Sequence, residues 1–257
     1  MLNTDLSDKE IIITGAMGAI AEYIVKALHG AGASLILTDI LEEEQALARI
    51  AGWGIRGKFQ YHIMDVTNKE QVEGTVSALF KKNPGINIAI GYAGGCDLHF
   101  FKETDADTFD TIFRLNFTGQ TYFTRSVLAR WIALKTSGHM IYTSSYVSRI
   151  PHQGIPAYAS AKAALESFSN CLALEFAEHD IRFNIISPGN VAAGSSLKVF
   201  NENKEYREMV KRVTPLKRQN SPEAIANAFL YLCSGLADEV NGHTLKVDLG
   251  VSIPKIG

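Results

Sequence analysis

The chain has 257 residues, a formal charge of -2, 46% hydrophobic and 20% charged residues. This is the balance of one large globular domain, with no electrostatic footprint for nucleic acid or an anionic membrane. No apolar run reaches the ~18 residues that span a bilayer, and Met1–Glu10 lacks the basic and apolar segments of a signal peptide. Cys96, Cys171 and Cys233 are odd in number and far apart, so neither a disulfide framework nor a metal site is expected, and a reducing cytoplasm is the expected location.

In chain order, a first strand at Ile11–Thr14 opens into the glycine turn Gly15-Ala-Met17-Gly18-Ala19-Ile20-Ala21, at the head of a helix over 19–31. Such a turn lets backbone amides and a helix N-terminus face a pyrophosphate. A second strand, Ser34–Thr38, ends at Asp39, where a carboxylate can hold adenosine ribose hydroxyls. Capping the next helix, 41–51, is the competing role for Asp39. The third strand, Phe59–His62, leads to Asp65-Val66 and a helix over 68–82. The fourth, Ile86–Gly91, leads to Ala93-Gly94-Gly95 and a long helix over 106–135. Both chain turns are placed to line an adenine and ribose crevice.

A fifth strand, His139–Thr143, is followed by Ser145 and a helix over 157–179, and a sixth, Arg182–Ser187, by Pro188-Gly189. A helix over 221–234 and a last strand, Thr244–Val247, close the pattern. Strands this apolar, separated by helices, predict an α/β, doubly wound fold: a single domain with a seven-stranded parallel sheet flanked by helices. Neither a repeat nor a Pro/Gly/Ser linker divides it. From Val191 to Pro215 the strand rhythm stops, and Val199/Phe200, Tyr206, Met209/Val210 and Val213 recur at helical spacing. An excursion at the carboxyl end of a parallel strand is expected to form a substrate lid over 191–215; a surface helix over the core is the alternative.

Tyr158-Ala-Ser-Ala-Lys162 places a phenol and an ammonium on one face of a helix. A lysine beside a phenol favours the phenolate, so the Tyr158 pKa is expected to fall, and such a group exchanges a proton with an alcohol or carbonyl oxygen. Ser145 is suited to hold that oxygen by a hydrogen bond.

These pieces, in this order from about Asp8 to Gly250, resemble the short-chain dehydrogenase/reductase family in its classical length, with a Rossmann-like fold. The matching residues are Thr14 and Gly15, Asp39, Asp65-Val66, Asn116 in Leu115-Asn-Phe-Thr-Gly119, Ser145, Tyr158, Lys162, Ser187-Pro-Gly189 and Asn241–Asp248. The resemblance implies a catalytic set of Asn116, Ser145, Tyr158 and Lys162. It implies that a nicotinamide dinucleotide is held by Gly15, Met17, Gly18, Ala19, Ile20, Asp39, Asp65, Val66, Ala93, Gly94, Tyr158, Lys162, Pro188, Gly189 and Val191. Lys162 then binds the nicotinamide ribose and Asn116 positions Lys162 through a water. Substrate contacts fall on Gly95, Cys96, Ser145, Tyr146, His152, Gln153, Tyr158, Val191 and the 194–213 lid.

The departures bear on function. Ala19 and Ala21 stand at the second and third glycines of Thr-Gly-x-x-x-Gly-x-Gly, where a β-carbon at 19 is expected to crowd the pyrophosphate or the turn. Asn-Asn-Ala-Gly reads Gly91-Tyr92-Ala93-Gly94, which removes a side-chain bond steadying the central strand, and Ala193 replaces a nicotinamide-side threonine. Asp39, with no Lys or Arg at Met17 or Gly18, favours NAD(H) over NADP(H).

A lone His such as His152 or His99 is more often solvated than functional, Phe100-Phe101 suits core or subunit contact, and Asp248 suits a cap near the last strand. Phe113, Phe117, Phe123, Trp131, Phe168 and Phe176 extend beyond one stripe of their helices; the resemblance implies that these helices pair into a homodimer or homotetramer, while a large core is the plain alternative. The leading expectation is hydride transfer between NAD(H) and a secondary alcohol or ketone. An NADPH-dependent 3-oxoacyl-thioester reductase, a non-catalytic dinucleotide-binding sensor, and a dehydratase or epimerase are the alternatives.

Overall fold

Ile11, Ile12 and Ile13 have no exposed surface, because their side chains alternate between two faces that are both covered. In the computed structural model, which describes residues 4–96, 98–150 and 152–253, this run is the core of strand β1 (Glu10–Thr14). There follow α1 (Ala21–Gly30), β2 (Ser34–Asp39), α2 (Glu43–Gly52), β3 (Phe59–Ile63), α3 (Lys69–Lys82), β4 (Ile86–Gly91) and α4 (Ala106–Phe113). Then come α5 (Gly119–Leu134), β5 (Gly138–Thr143), α6 (Pro156–Glu175), β6 (Ile181–Pro188), α7 (Gly194–Glu202), α8 (Lys204–Val213), α9 (Pro222–Cys233) and β7 (Thr244–Val247).

The seven strands form one parallel sheet in the order β3-β2-β1-β4-β5-β6-β7. Ile11 and Ile13 pack with α1 and α9 residues such as Ile24, Leu28 and Phe229 on one face. Ile12 joins Val76, Phe123, Trp131 and Leu165 from α3, α5 and α6 on the other. The strand order reverses between β1 and β4, so the connections leaving their carboxyl ends part and open a crevice there. This is the expected α/β, Rossmann-like doubly wound fold. No helix among the described residues is long and apolar enough to cross a membrane.

The predicted helix over 106–135 is interrupted by a π-helical segment, Arg114–Thr118. The amide of the Asn116 side chain donates to the Ile112 carbonyl at 2.9 Å, the acceptor that an uninterrupted α-helix reserves for the Asn116 backbone N–H. Periodicity does not register one inserted residue, so the break was invisible in sequence. Two helices form in 191–215, and Asn203 separates them by accepting from the Tyr206 amide as the cap of α8. Phe123 and Trp131 are fully buried core, whereas Phe113, Phe117, Phe168 and Phe176 are half-buried.

Candidate active site

A cleft of about 1660 Å³ runs along the carboxyl ends of the strands. At its β1 end, Thr14 Oγ1 accepts from the amides of Tyr92 and Ala93, each at 3.1 Å, and so ties β1 to the chain leaving β4. Gly15 then turns with φ +65°, and a Cβ there would stand 2.6 Å from Ala93 Cα. Only glycine fits that approach and that backbone angle. The turn delivers the N-terminus of α1, whose cap residue Ile20 makes no side-chain bond to the first-turn amides. Such a helix start is suited to a pyrophosphate.

The expected crowding at Ala19 does not arise from the backbone. Ala19 is exposed on the cleft wall, and among the described residues of the turn only Gly15 has positive φ. The Ala19 methyl instead faces Gly194, at the start of α7, where an added Cβ would stand 3.1 Å away.

Asp39 ends β2 and is not the cap of α2, a place taken by Glu42. Asp39 Oδ2 accepts from the Met17 amide at 2.9 Å, and Oδ1 from Ile40 at 2.8 Å and Leu41 at 3.3 Å. Its carboxylate thus joins the glycine turn to the β2 end. Sequence reading missed Arg49, which α2 brings to the same place: its Nη1 donates to Met17 O at 2.7 Å and the side chain lines the cleft. The absence of a basic residue at Met17 and Gly18 is therefore answered from 32 positions along the chain. Spacing along α2 carried no signal for it.

On the next wall, Asp65 Oδ1 accepts from Thr67 N and Oγ1, both at 2.8 Å, while Val66 lines the cleft beside it. The side-chain bond expected to be lost at Gly91 is replaced. Gln120, fully buried on α5, fills the space over Gly91 and donates to Ala93 O at 2.7 Å. A Cβ at Gly91 would also meet the Tyr142 ring at 2.8 Å, so the small residue and the long one fit together.

Ser145, Tyr158 and Lys162 line the cleft from two elements, while Asn116, from a third, stands behind its wall. Asn116, fully buried in the π segment, pairs with Gly95 on both sides: Nδ2 donates to Gly95 O at 2.9 Å and Oδ1 accepts from Gly95 N at 3.2 Å. Gly94 lies between Asn116 and Lys162; a Cβ there would be 2.7 Å from Asn116 Oδ1 and 3.2 Å from Lys162 Nζ. Tyr158 and Lys162 lie on one face of α6, with Lys162 Nζ 5.6 Å from the centre of the Tyr158 ring and donating to Thr143 O at 2.8 Å. Ser145 leaves β5 and stands beside the Tyr158 phenol, whose pKa its hydroxyl draws down.

The expected fall in the Tyr158 pKa is reversed. Burial is the largest effect and raises the phenol, with the Ser145 hydroxyl opposing it. Burial likewise lowers Lys162 to about 8. The Cys96 thiol stands near enough to raise both groups. Lys162 does not act on the phenol as a close ion: its charge is directed to Thr143 O, and desolvation dominates.

Beyond Tyr158 the cleft is lined by Cys96, Tyr146, His152, Gln153 and Val191. Ser196 and Tyr206 of the expected lid line it too, and one further residue was missed, Asn190. Tyr206 Oη lies 3.4 Å from both Asn190 Oδ1 and Ser196 Oγ, and Asn190 also hydrogen-bonds Tyr146. Burial raises the Tyr146 phenol to about 12. His152 Nδ1 is 2.9 Å from Gln153 O, a local contact. Phe100, expected in core or subunit contact, is 42% exposed and lines the cleft with Leu98, while Phe101 is 71% exposed outside it. Pro188 and Gly189 line the cleft where β6 ends, and Val191 pairs with Asn220 just beyond. Asp248 caps the chain after β7, accepting from the amides of Gly250 and Ser252.

A family model described as enoyl-(acyl carrier protein) reductase matches residues 15–252. The chain is 29% identical to 2,3-dihydro-2,3-dihydroxybenzoate dehydrogenase of Bacillus subtilis (strain 168), covering 96% of this chain and 97% of that one. It is 30% identical to 3beta-hydroxysteroid dehydrogenase 2 of Eggerthella lenta, with 97% of each covered. It is 27% identical to NAD-dependent glycerol dehydrogenase of Listeria innocua, with 97% of this chain and 96% of that one covered. The crystal structure of a short-chain type dehydrogenase/reductase from Mycobacterium marinum superposes with a TM-score of 0.86 at 27% identity, 98% of each chain being covered. With a doubly wound sheet, a glycine turn and a serine, tyrosine and lysine meeting in one cleft, the chain belongs to the short-chain dehydrogenase/reductase family and is an NAD(P)-dependent oxidoreductase of alcohols and ketones.

Proposed function

We propose that the chain interconverts a secondary alcohol and a ketone with NAD(H), through Tyr158 as proton-transfer group, Ser145 as the hydrogen bond to the reacting oxygen, and Lys162 and Asn116 in support. The observation that carries this reading is the meeting of Ser145, Tyr158 and Lys162 at one end of a cleft whose other end holds Gly15 and Asp39. The residues present fit a nicotinamide dinucleotide, because the Gly15 cradle is one that a Cβ would fill and the α1 N-terminus opens into it. When bound, that cofactor supplies or takes up the hydride.

Gly15, Met17, Gly18, Ala19 and Ile20 hold the pyrophosphate end, with Asp39, Asp65, Val66, Ala93 and Gly94 along the adenosine side. Pro188, Gly189, Val191, Tyr158 and Lys162 hold the nicotinamide side. In the reducing direction Tyr158 gives its phenol proton to the carbonyl oxygen that Ser145 holds; in the oxidising direction the phenolate takes the hydroxyl proton. Burial keeps Tyr158 protonated near neutral pH, which suits reduction. Asn116 acts on Lys162 through Gly94 and Gly95, which it clamps beside the ammonium. Helices α7 and α8 form the lid, with Ser196, Val199 and Tyr206 facing the cleft. Asp39 favours NAD(H), while Arg49 stands close enough to receive an extra phosphate. The half-buried Phe113, Phe117 and Phe168, with neighbouring rings 5.4 Å and 5.8 Å apart, support pairing of α4 and α6 with a second copy.

The test is turnover of a panel of secondary alcohols with NAD, beside Tyr158→Phe. The variant should lose about 10²- to 10⁴-fold in kcat and keep its NADH affinity within about twofold, read by reduced-nicotinamide fluorescence. Retained turnover in Tyr158→Phe removes Tyr158 from the role.

A further inference from the structure

Directly behind Ser145 lies a buried carboxylate that the proposed reaction does not use. Glu166 is 6% exposed and sits one helical turn beyond Lys162 on α6. Its Oε1 accepts from Ser144 Oγ at 2.8 Å and from Ser148 Oγ at 2.6 Å, and its Oε2 accepts from Arg149 Nε at 2.9 Å. Ser148 Oγ is also 2.7 Å from the Ser145 carbonyl oxygen, so its one hydrogen serves either acceptor. Ser144 Oγ stands 3.5 Å from Lys162 O. A buried carboxylate is costly unless it is well bonded. Three donors satisfy this one, and all three come from the segment that carries Ser145.

We propose that Glu166 is a positioning residue that ties the Ser145 segment to the helix carrying Tyr158 and Lys162, and so holds the Ser145 hydroxyl against the Tyr158 phenol. Ser145 leaves β5, and its other hydroxyl contact is the Val147 amide at 3.5 Å, too long to fix it. Tyr158 and Lys162 belong to α6. The two groups need a common reference, and Glu166 supplies one by gripping Ser144 and Ser148 on either side of Ser145. A displacement near 1 Å at such a contact is enough to cost on the order of 10²-fold in rate. The inference rests on the roles proposed for Ser145 and Tyr158.

The experiment compares Glu166→Leu, Glu166→Gln and Ser145→Ala in the full chain, with two readouts. The first is kcat on whichever alcohol the wild type oxidises. Glu166→Leu should lower kcat about tenfold or more with the KM for the dinucleotide within about twofold. Glu166→Gln keeps an acceptor for both serines and should recover most of the loss. The double variant Ser145→Ala/Glu166→Leu should be no slower than Ser145→Ala, because residues acting as a unit are not additive.

The second readout needs no substrate. In protein carrying carbon-13-labelled tyrosine, the Tyr158 ring resonance, assigned by its loss in Tyr158→Phe, reports the phenol's hydrogen bond. Glu166→Leu should move it in the direction that Ser145→Ala does, and no further when Ser145 is already alanine. The other groups near the phenol, Cys96, Tyr92, Tyr146 and Lys162, are the same in every variant. An unmoved resonance, or losses that add to those of Ser145→Ala, overturns the inference. If wild type turns over no alcohol or ketone, the proposed reaction fails while the resonance still decides the role of Glu166. Should Glu166→Leu not fold, Ser148→Ala removes one tether, and the same shift and non-additivity apply to it.

Discussion

Gly15 and Ala93 touch backbone to backbone: the α-carbon of Ala93 lies where a β-carbon on Gly15 would stand 2.6 Å away. Thr14, one residue earlier, anchors the Ala93 amide, and Gln120 holds the Ala93 carbonyl from α5. The floor of the dinucleotide cleft is thus fixed at one point from β1, β4 and α5 together. Gly15→Ala should cost about 1–2 kcal/mol from the left-handed backbone angle alone, and more from the contact. NADH affinity should fall more than about tenfold, ~1.4 kcal/mol. A fluorescence titration and a thermal melt check both effects, and unchanged affinity would show that the cofactor does not use this turn.

With Tyr158 in its proposed role, the buried phenol sets the pH dependence. Since burial raises the Tyr158 pKa, the protonated form needed for reduction is fully present at neutral pH, and the phenolate needed for oxidation is scarce. The oxidative kcat/KM should climb about tenfold per pH unit from about pH 6 toward about pH 8. Reduction should stay flat from about pH 6 to about pH 7 and decline as Lys162 loses its proton at about pH 8. Initial rates in both directions over matched buffers test this; a flat oxidative profile is incompatible with it.

In the proposed function, Asp39 and Arg49 bring opposite charges to the adenosine end. The carboxylate repels a 2′-phosphate and the guanidinium attracts it, so wild type should prefer NADH by a modest factor. Asp39→Ala should move preference toward NADPH by about tenfold or more, and adding Arg49→Ala should take most of that gain away. Dissociation constants for both reduced cofactors across the four proteins decide the matter. If Asp39→Ala leaves the ratio unchanged, the carboxylate is not the selector.

His139 is a buried base with a neutral ring. Asn184 Nδ2 lies 2.8 Å from His139 Nε2, a bond from Leu232 uses the other side, and burial holds the pKa well below 6.5. The unfolded chain takes up a proton as pH falls through about 6.5 and the folded chain does not. Stability associated with His139 is therefore fully present above that value and lost below it, by up to ~1.4 kcal/mol per pH unit for one proton. Denaturant melts between about pH 7.5 and about pH 5 should show a shallower slope in His139→Gln than in wild type. Equal slopes would assign the acid sensitivity to other groups.

How much of this was legible in the chain depends on distance along it. The strands, their order of appearance and the Tyr158–Lys162 pair were readable because alternation, helical period and a fixed spacing of four are local properties. Arg49 and Gln120 were not, since each acts on a backbone atom far from it in sequence, Met17 O and Ala93 O. Glu166 was hidden in the same way, as one more acidic residue on a long helix until β5 brought Ser144 and Ser148 against it.

The pKa of Tyr158 separates the two kinds of knowledge most sharply. From sequence, a lysine one turn away argues for a lowered pKa. In the folded chain, desolvation of both groups outweighs it and the phenol rises. By itself the sequence determined the fold class, the family and the chemical identity of the groups in the cleft, because local pattern and residue type carry that information. The tertiary structure alone decided which distant side chain compensates for Gly91, which cation reaches the Met17 carbonyl and in which direction burial moves the Tyr158 pKa, since burial and long-range approach exist only once the chain has folded.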